Sequence, residues 1–272
     1  MEPAVDEPDG QSSRVELLED LNRPGGYLLL IDRVRQSYVD LEDPTFLDFD
    51  YVESFADVLA ALPDGPLAVT HIGGGACTLA RWVAVTRPGS PQIVLEPDTT
   101  VTELVRARLP FPRGARIRVR AADGRAGVET LKDGSADVIV LDAFHGGRVP
   151  PELTTLEFLT DVARVLKPTG VLLANLADGP PLRYAARVVE TARQVLPELL
   201  VVADPSVVKR RRFGNIVLVA SATPLPADDI RRAGARAAFP RGVVTSLGGG
   251  KILTDDDRMR SPEPPEDTWR VQ

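Results

Sequence analysis

Short apolar runs alternate with helical patterns along the middle of the chain. Seven mostly apolar runs, which begin at residues 67, 92, 117, 136, 171, 199 and 215, are typical of buried strands. Between them, apolar residues spaced three or four positions apart predict helices, as over Thr99–Leu109 and Arg183–Leu196. Strands that alternate with helices form a mostly parallel sheet covered on both faces. We therefore predict an α/β fold built on a seven-stranded sheet.

The two ends of the chain differ in composition from this central region. Residues 1–12 and 241–272 are polar, acidic and rich in proline, which predicts extended, largely disordered tails that bury too little apolar surface to offset the entropy of ordering. Residues 13–62 contain two short strand-like runs and a helical pattern, and they predict a small β-hairpin and helix element. The sheet and its helices then occupy residues 63–240.

Composition and charge limit the chemistry and the partners of the chain. Among its 272 residues there are one Cys and two His, which excludes a disulfide framework and leaves little material for a zinc centre, so we expect metal-free chemistry. The net charge of −7 argues against nucleic acid or an anionic membrane as a partner. No apolar run has the length of a membrane span, and the first residues do not resemble a secretory signal, which favours a cytoplasmic protein.

Candidate chemical groups follow the predicted strands directly. The run Gly73-Gly74-Gly75 follows the first strand of the sheet and predicts a turn in which the backbone approaches a ligand closely. It fails the dinucleotide fingerprint, because Thr78 stands where the third glycine belongs. Glu96 follows the second strand, 21 positions after Gly75, where an acid can bind ribose hydroxyls.

Two more acidic residues follow the third and fourth strands. Asp123, with Gly124, is placed to contact an adenine edge, and it is also placed to cap the next helix. Asp142 ends the most apolar strand, so we expect its carboxylate to face the cleft from a rigid position. Ligands of such sheets bind beyond the carboxyl ends of the strands. The glycine turn, the ribose acid and the adenine contact together indicate a pocket for an adenosyl sulfonium.

These pieces resemble the spermidine synthases, or polyamine aminopropyltransferases, and their spermidine synthase-like relatives. The resemblance extends from about Gly26 to Ser221 and depends on the order and spacing of short motifs: Leu29–Gln36, Tyr51-Val52-Glu53, Ile72–Gly75, Leu95–Asp98, Ala122–Gly124, Val140–Asp142 and Phe213–Ile216. It implies a Rossmann-like, class I methyltransferase-type fold preceded by a small N-terminal β-hairpin element. It also implies S-adenosylmethionine or its decarboxylated form as the nucleotide, a small-molecule amine acceptor, and a homodimer.

The resemblance assigns roles to individual residues. Asp142 matches the proton acceptor that deprotonates the attacking amine, and Tyr51 matches a tyrosine that lines the acceptor channel. Glu96 matches the ribose-binding acid, and Asp123 with Gly124 matches the adenine contact. The full predicted nucleotide site is Gln36, Gly73, Gly74, Gly75, Glu96, Asp123 and Gly124.

Four positions depart from the family pattern. Ala76 stands where the family has an Asp that holds the aminopropyl end, Val52 replaces a polar nucleotide contact, and His145 replaces the second Asp of an Asp-x-x-Asp pair. A late-loop tyrosine that packs on the diamine is replaced within Lys209-Arg210-Arg211-Arg212, where Arg211 is the predicted substrate contact. These changes remove groups that hold a cation, which argues against putrescine as the acceptor. The basic run is equally compatible with a solvated loop face.

Alternatives stay open for His145 and for the function. His145 can be a general base with a pKa near neutrality, a substrate contact, or a loop residue before two glycines. Aminopropyl transfer by a spermidine synthase-like enzyme, with Asp142 and His145 as catalytic residues, is the leading hypothesis. Methyl transfer from S-adenosylmethionine is the first alternative, and a non-catalytic nucleotide-binding or scaffold protein is the second, because lost polar groups are what a decayed site would show.

Overall fold

The computed structural model describes residues 14–265 and 268–269. The predicted tail over 1–12, the end of the predicted C-terminal tail at 270–272, and residues 266–267 lie outside the described residues. The strands are β1 (Val15–Glu19), β2 (Gly26–Ile31), β3 (Val34–Asp40), β4 (Val69–Ile72), β5 (Pro91–Leu95), β6 (Arg116–Arg120), β7 (Ala136–Leu141), β8 (Leu166–Asp178), β9 (Glu198–Ala203), β10 (Gly214–Ser221) and β11 (Gly242–Val244). The α-helices are α1 (Asp50–Ala61), α2 (Thr78–Thr86), α3 (Thr99–Arg108), α4 (Gly124–Glu129), α5 (Leu156–Val165), α6 (Arg183–Arg193), α7 (Pro205–Val208) and α8 (Ala227–Arg236), and Pro151–Leu153 form a 3-10 turn.

An eight-stranded sheet forms the centre of the molecule, in the order β11-β9-β10-β8-β7-β4-β5-β6. Strands β4 to β8 pair in parallel, whereas β10 is antiparallel to both β8 and β9, and β11 is antiparallel to β9. This confirms the predicted α/β fold, and β4 to β10 are the seven predicted strands. Strand order reverses between β4 and β7, so a crevice opens there beyond the carboxyl ends of the strands.

The core lies on both faces of this sheet because its central strands are apolar on both sides. Alternate residues of a strand face opposite sides. In β7, Ile139 and Leu141 pack with α5 and α6 on one face, whereas Val138 and Val140 pack with α1 and α2 on the other. This double burial holds the end of β7 rigidly. None of the helices in the described part of the chain has the length and apolarity that crossing a membrane would require.

The N-terminal element is a three-stranded antiparallel sheet, not only a hairpin. The strand β1 pairs with β2 along its whole length, with Leu17 opposite Leu29. Strands β2 and β3 form the predicted hairpin, and their register shifts so that Leu29 faces Ser37 while Leu30 faces Arg35. Gln36 is therefore the extra residue of a β-bulge. The sequence prediction missed β1 because its five residues adjoin the polar N-terminal region.

The C-terminal segment is the main correction to the sequence prediction. Residues 242–244 form β11, Leu253 is fully buried in the main core, and Arg125 donates two hydrogen bonds, of 2.7 and 2.6 Å, to Asp255. The prediction of disorder over 241–272 is wrong for the described part of this segment. Its composition is polar, but a few apolar and charged residues bind it to the rest of the domain. These residues are irregularly spaced, so no periodic pattern in the sequence marks them.

Candidate active site

The glycine turn after β4 is braced by the acid that follows β5. Gly73 has a φ of +89°, a conformation that glycine adopts without strain. The N–H groups of Gly74 and Gly75 donate to Oε2 of Glu96 at 2.8 and 3.2 Å, and the N–H of Asp98 donates to Oε1 at 2.9 Å. A carboxylate has about four lone-pair sites. Glu96 therefore keeps the capacity to accept a further hydrogen bond, as a ribose-binding acid must.

Asp123 lies at the neighbouring strand end, because the N–H of Glu96 donates to the carbonyl of Arg120 at 3.0 Å. Its side chain is exposed, and its Oδ1 accepts hydrogen bonds from the N–H groups of Arg125 and Ala126 at 2.9 and 3.1 Å. The capping interpretation of Asp123 is thus confirmed, and its adenine contact stays a prediction. Gly124 is buried against Ile72, whose Cγ2 would lie 2.5 Å from an added Cβ.

Asp142 is the centre of a hydrogen-bond network at the end of β7. Tyr51 on α1 donates its hydroxyl to Oδ2 at 3.1 Å, and Asn175 on β8 donates Nδ2 to Oδ1 at 3.0 Å. Asn215 on β10 donates in turn to Oδ1 of Asn175 at 3.0 Å. Burial raises the pKa of Asp142 to about 6, against the two hydrogen bonds, which favour the carboxylate.

Sequence reasoning missed the two asparagines of this network. Asn175 is buried in the apolar run Val171–Ala177, and a polar side chain in such a run needs a hydrogen-bond partner. A single polar residue within an apolar strand was therefore the sequence signal that could have identified Asn175. Asn215 was included in a matched motif, but no role was assigned to it.

A small cavity of about 30 Å³ joins the glycine turn to Asp142. Its lining includes Gly73, Gly74 and Tyr51, and among the residues that the structure describes it contains no Lys or Arg. His71 also lines it, accepts or donates one hydrogen bond with Gln92 at 2.9 Å, and has a pKa lowered to about 4 by burial. His71 is therefore neutral, and Asp142 supplies the charge of this compartment.

A larger cavity of about 350 Å³ lies on the other side of Tyr51 and Asn175. Six aromatic side chains line it: Phe49, Tyr51, Phe144, Phe213, Phe239 and Trp269. Gln36 also lines this cavity, so the structure places it with the predicted acceptor residues and not at the Glu96 end of the site. Neither Glu96 nor Asp123 belongs to the described lining of the cavity.

Each arginine in the described lining of the large cavity has an acidic partner. Arg35 pairs with Asp48, and Arg212 pairs with Asp204 at 3.1 Å. Arg241, whose side chain is only 6% exposed, pairs with two acids of α1, Glu53 at 3.0 Å and Asp57 at 2.5 Å. These pairings offset the positive charge of the wall.

The basic run near this cavity does not act as a block of four cations. Arg212 lines the cavity, whereas Arg211, the predicted substrate contact, is exposed and lies outside the described lining. Arg210 donates to the carbonyl of Leu247 at 2.8 Å. The structure therefore places Arg212, not Arg211, in the described lining, and a substrate contact by Arg211 stays a prediction. The solvated-face interpretation fits Lys209 and Arg211, which are exposed.

Known proteins with the same architecture identify the family. A probable spermidine synthase from Corynebacterium glutamicum is 30% identical to this chain, covers 100% of both chains, and aligns with a TM-score of 0.84. The chain belongs to the spermidine synthase family. A polyamine aminopropyltransferase from Chromobacterium violaceum is 31% identical over 145 residues, which are 53% of this chain and 55% of that relative.

The likeness to other spermidine synthases is more partial. The chain spans about half the length of the curated relatives it matches, between 46% and 55% for three of them. A spermidine synthase in complex with the transition state analogue AdoDATO shares the fold, at 20% identity and a TM-score of 0.58, over 91% of this chain and 80% of that chain. No family model matches the chain.

The departures from the spermidine synthase pattern occupy different environments. Ala76 is fully buried and packs with Leu29 and the apolar face of α3, and Val52 is buried in the core beside the small cavity. His145 is exposed and pairs its backbone with Arg148, while its neighbour Phe144 lines the large cavity. His145 is in the described lining of neither cavity, and its role as a second catalytic residue stays a prediction.

Within this spermidine synthase fold, the predicted residues divide into two groups. Gly73 and Gly74 meet Asp142 and Tyr51 around the small cavity, and Glu96 braces the same turn. In residues 14–265 and 268–269, no group of three His, Cys, Asp or Glu side chains is arranged to hold a metal ion. The arrangement places the half-buried carboxylate of Asp142 between the glycine turn and the aromatic cavity.

Proposed function

We propose that the protein transfers an aminopropyl group from decarboxylated S-adenosylmethionine to a small-molecule amine. The observation that carries this proposal is the position of Asp142, hydrogen-bonded by Tyr51 and Asn175 between the glycine turn and the aromatic cavity. Membership of the spermidine synthase family and curated relatives named polyamine aminopropyltransferase support it.

The reaction needs a base and no acid. The amine nitrogen attacks the aminopropyl carbon next to the sulfonium, the C–N bond forms, and the C–S bond breaks with its electron pair passing to sulfur. The leaving thioether is neutral, so nothing has to protonate it. The proton of the attacking amine passes to Asp142, whose pKa of about 6 keeps most of it ionised at neutral pH. Orientation of the amine against Asp142 supplies a further part of the rate.

The chain's own residues fit the nucleotide. Glu96 can accept a hydrogen bond from a ribose hydroxyl. Oδ2 of Asp123 takes no part in the helix cap, so it can accept a hydrogen bond from the amino group of adenine. The small cavity offers the Asp142 carboxylate and, in the described part of its lining, no cation that would pair with a carboxylate. This charge supports the decarboxylated nucleotide, whose tail ends in an ammonium group.

The large cavity supports a cationic acceptor. Six aromatic side chains line it, and aromatic faces attract ammonium groups. Asp48, Asp50 and Asp204 also line it, so the lining that the structure describes carries as many acids as arginines.

Part of the argument against putrescine concerned the basic run Lys209–Arg212, and three of its four residues lie outside the described lining. The acids and aromatic side chains of this cavity supply cation-binding groups in place of those missing at Ala76, Val52 and His145. We therefore infer an amine acceptor and include putrescine among the candidates.

Product analysis tests the proposed function directly. The protein is incubated with decarboxylated S-adenosylmethionine or with S-adenosylmethionine, each with putrescine, cadaverine or spermidine, and products are identified by mass spectrometry. We expect 5′-methylthioadenosine and an aminopropylated amine from the decarboxylated nucleotide. A methylated product from S-adenosylmethionine would establish methyl transfer instead. Absence of product, with no calorimetric binding of either nucleotide, would leave the scaffold alternative.

The pH dependence of turnover should reveal the base. Because Asp142 must be a carboxylate to accept the proton, kcat at saturating amine is expected to rise about tenfold per pH unit below its pKa of about 6 and to level above it. The measurement is kcat between about pH 5 and pH 8. The Asp142→Asn protein is the control and should show no inflection near pH 6. A flat wild-type profile over this range would exclude Asp142 as the base.

Glu96→Gln tests the nucleotide side. An amide has one acceptor oxygen where the carboxylate has two, so the variant loses a charge-assisted hydrogen bond, and nucleotide affinity is expected to fall roughly 10- to 100-fold. Glu103→Gln is the matched control, because it makes the same charge change at an exposed position of α3. Calorimetry measures both, with thermal unfolding to confirm that the glycine turn persists. Equal affinities for the two variants would contradict the assignment.

A further inference from the structure

The last described residues of the chain lie against the large cavity. The Trp269 ring contacts Phe213 edge to face, with centroids 5.5 Å apart, and Phe144 in the same way at 6.3 Å. The backbone is anchored as well, because the N–H of Arg35 on β3 donates to the carbonyl of Trp269 at 2.9 Å. Trp269 is half-buried and lines the cavity together with both phenylalanines.

These three aromatic residues are linked to the catalytic network through the chain itself. Phe144 comes two residues after Asp142, and Phe213 comes two residues before Asn215, which supports Asn175. The loop after Phe144 also leaves room for the C-terminal segment. A Cβ at Gly147, which has a φ of +75°, would lie 3.0 Å from Cγ of Pro264 and 3.9 Å from Cζ3 of Trp269. Short stretches of chain therefore join the aromatic side chains of the cavity to Asp142 and its hydrogen-bond partners.

The sequence lacks the late-loop tyrosine that the family resemblance leads one to expect beside the acceptor. We infer that Trp269 provides an aromatic face for the acceptor amine and thereby determines which amines are used. An indole face attracts an alkylammonium group and covers its methylene chain, and tryptophan is the best aromatic residue for this contact. This inference depends on the proposed function, because it assigns the large cavity to the acceptor.

Tryptophan fluorescence tests the contact independently of activity. The chain has two tryptophans, and the other one, Trp82, lies on α2 outside the described lining of the cavity. In Trp82→Phe the emission comes from Trp269 alone. Titration of this variant with putrescine or spermidine, in the presence of 5′-methylthioadenosine, should give a saturable change in emission intensity. Trp269→Phe, which retains Trp82, is the matched control and should show no such change.

The outcomes separate this inference from the proposed function. Calorimetric binding of the amine without a change in the emission of Trp82→Phe would overturn the role of Trp269 and leave the proposed function intact. Absence of amine binding in calorimetry would count against the acceptor cavity itself, and with it against both.

Kinetics give a second measurement. Trp269→Ala should raise KM for the amine about 3- to 30-fold, in the range expected for one cation–π contact, and leave KM for the nucleotide within about twofold. Trp269→Phe should recover most of the amine affinity, because phenylalanine retains an aromatic face. An unchanged ranking of amines by kcat/KM in Trp269→Ala would show that this residue does not determine specificity.

Discussion

Asp142→Asn is expected to lower kcat about 10²- to 10⁴-fold, the range typical of a lost general base. The variant preserves the shape of the network: Oδ1 of asparagine still accepts from Asn175, and the Tyr51 hydroxyl can accept a hydrogen bond from the new amide. Amine affinity should therefore stay within about threefold, whereas affinity for the decarboxylated nucleotide should fall, because the charge that faces its ammonium tail is lost. Calorimetry measures both affinities beside steady-state turnover at saturating substrates. Normal turnover in this variant would remove Asp142 from the role of base.

The same substitution should stabilise the fold at neutral pH. The pKa of Asp142 is raised in the folded protein to about 6 from its ordinary value of 3.8, so folding is most favourable when the group is protonated, and this stability is lost as the pH rises through about 6. Asparagine is neutral at every pH. The free energy of unfolding should thus exceed that of the wild type by on the order of 3 kcal/mol above pH 6, with little excess below about pH 4. Urea unfolding at both pH values measures it.

A variant that is more stable and less active would show that the ionised carboxylate of Asp142, which activity needs, is unfavourable for the folded protein. A destabilised variant at pH 8 would mean instead that the ionised carboxylate is the favoured partner of Tyr51 and Asn175. The two results have opposite signs, so the stability measurement checks the electrostatic argument separately from the kinetics.

The strand ends were predictable because their signals are local. Strand alternation places Gly73, Glu96 and Asp142 at one edge of the sheet, and the structure confirms that edge. A β-strand fixes the direction of the residue that follows it, so such positions follow from sequence pattern alone. The pattern does not reveal the partners of Asp142, since Tyr51 is 91 positions away in the chain.

The contacts of the C-terminal segment were not predictable, because they join residues that are far apart in the sequence. Arg125 and Asp255 are 130 positions apart, and Arg241 binds acids of α1 that lie more than 180 positions earlier. No hydrophobic period marks these pairs, and a polar, proline-rich segment has the composition of a disordered tail. Arg212, rather than Arg211, lines the cavity because of the conformation of one turn before β10. The intrinsic conformational preferences of these residues do not specify that turn.

Arg241 links the C-terminal segment to the site through its two ion pairs with α1. Its guanidinium donates to Glu53 at 3.0 Å and to Asp57 at 2.5 Å, and both acids lie on the helix that carries Tyr51. The helix α1 is thus held on one side by the sheet and on the other by residue 241. We therefore expect the position of the Tyr51 hydroxyl against Asp142 to depend on both contacts.

Gly73→Ala should disrupt the site more than other substitutions in the glycine turn. A Cβ at position 73 would lie 2.2 Å from the carbonyl oxygen of Asp142. Each of the two residues directly follows a buried strand, so their backbones cannot move apart without a large cost in free energy. The φ of +89° adds strain for any residue with a side chain. We expect a loss of roughly 3 kcal/mol or more in the free energy of unfolding, together with displacement of Asp142.

Gly114→Ala is the matched control, because Gly114 has a similar φ of +79° but no atom within 4 Å of an added Cβ. It carries the backbone strain alone, about 1 kcal/mol, so the difference between the two variants isolates the contact with Asp142. Urea unfolding measures both, and turnover of the surviving folded protein should fall at least tenfold for Gly73→Ala and remain unchanged for Gly114→Ala. Equal destabilisation of the two variants would show that the glycine turn is not packed against the base, and the joint placement of nucleotide and acceptor around Asp142 would then lack its physical basis.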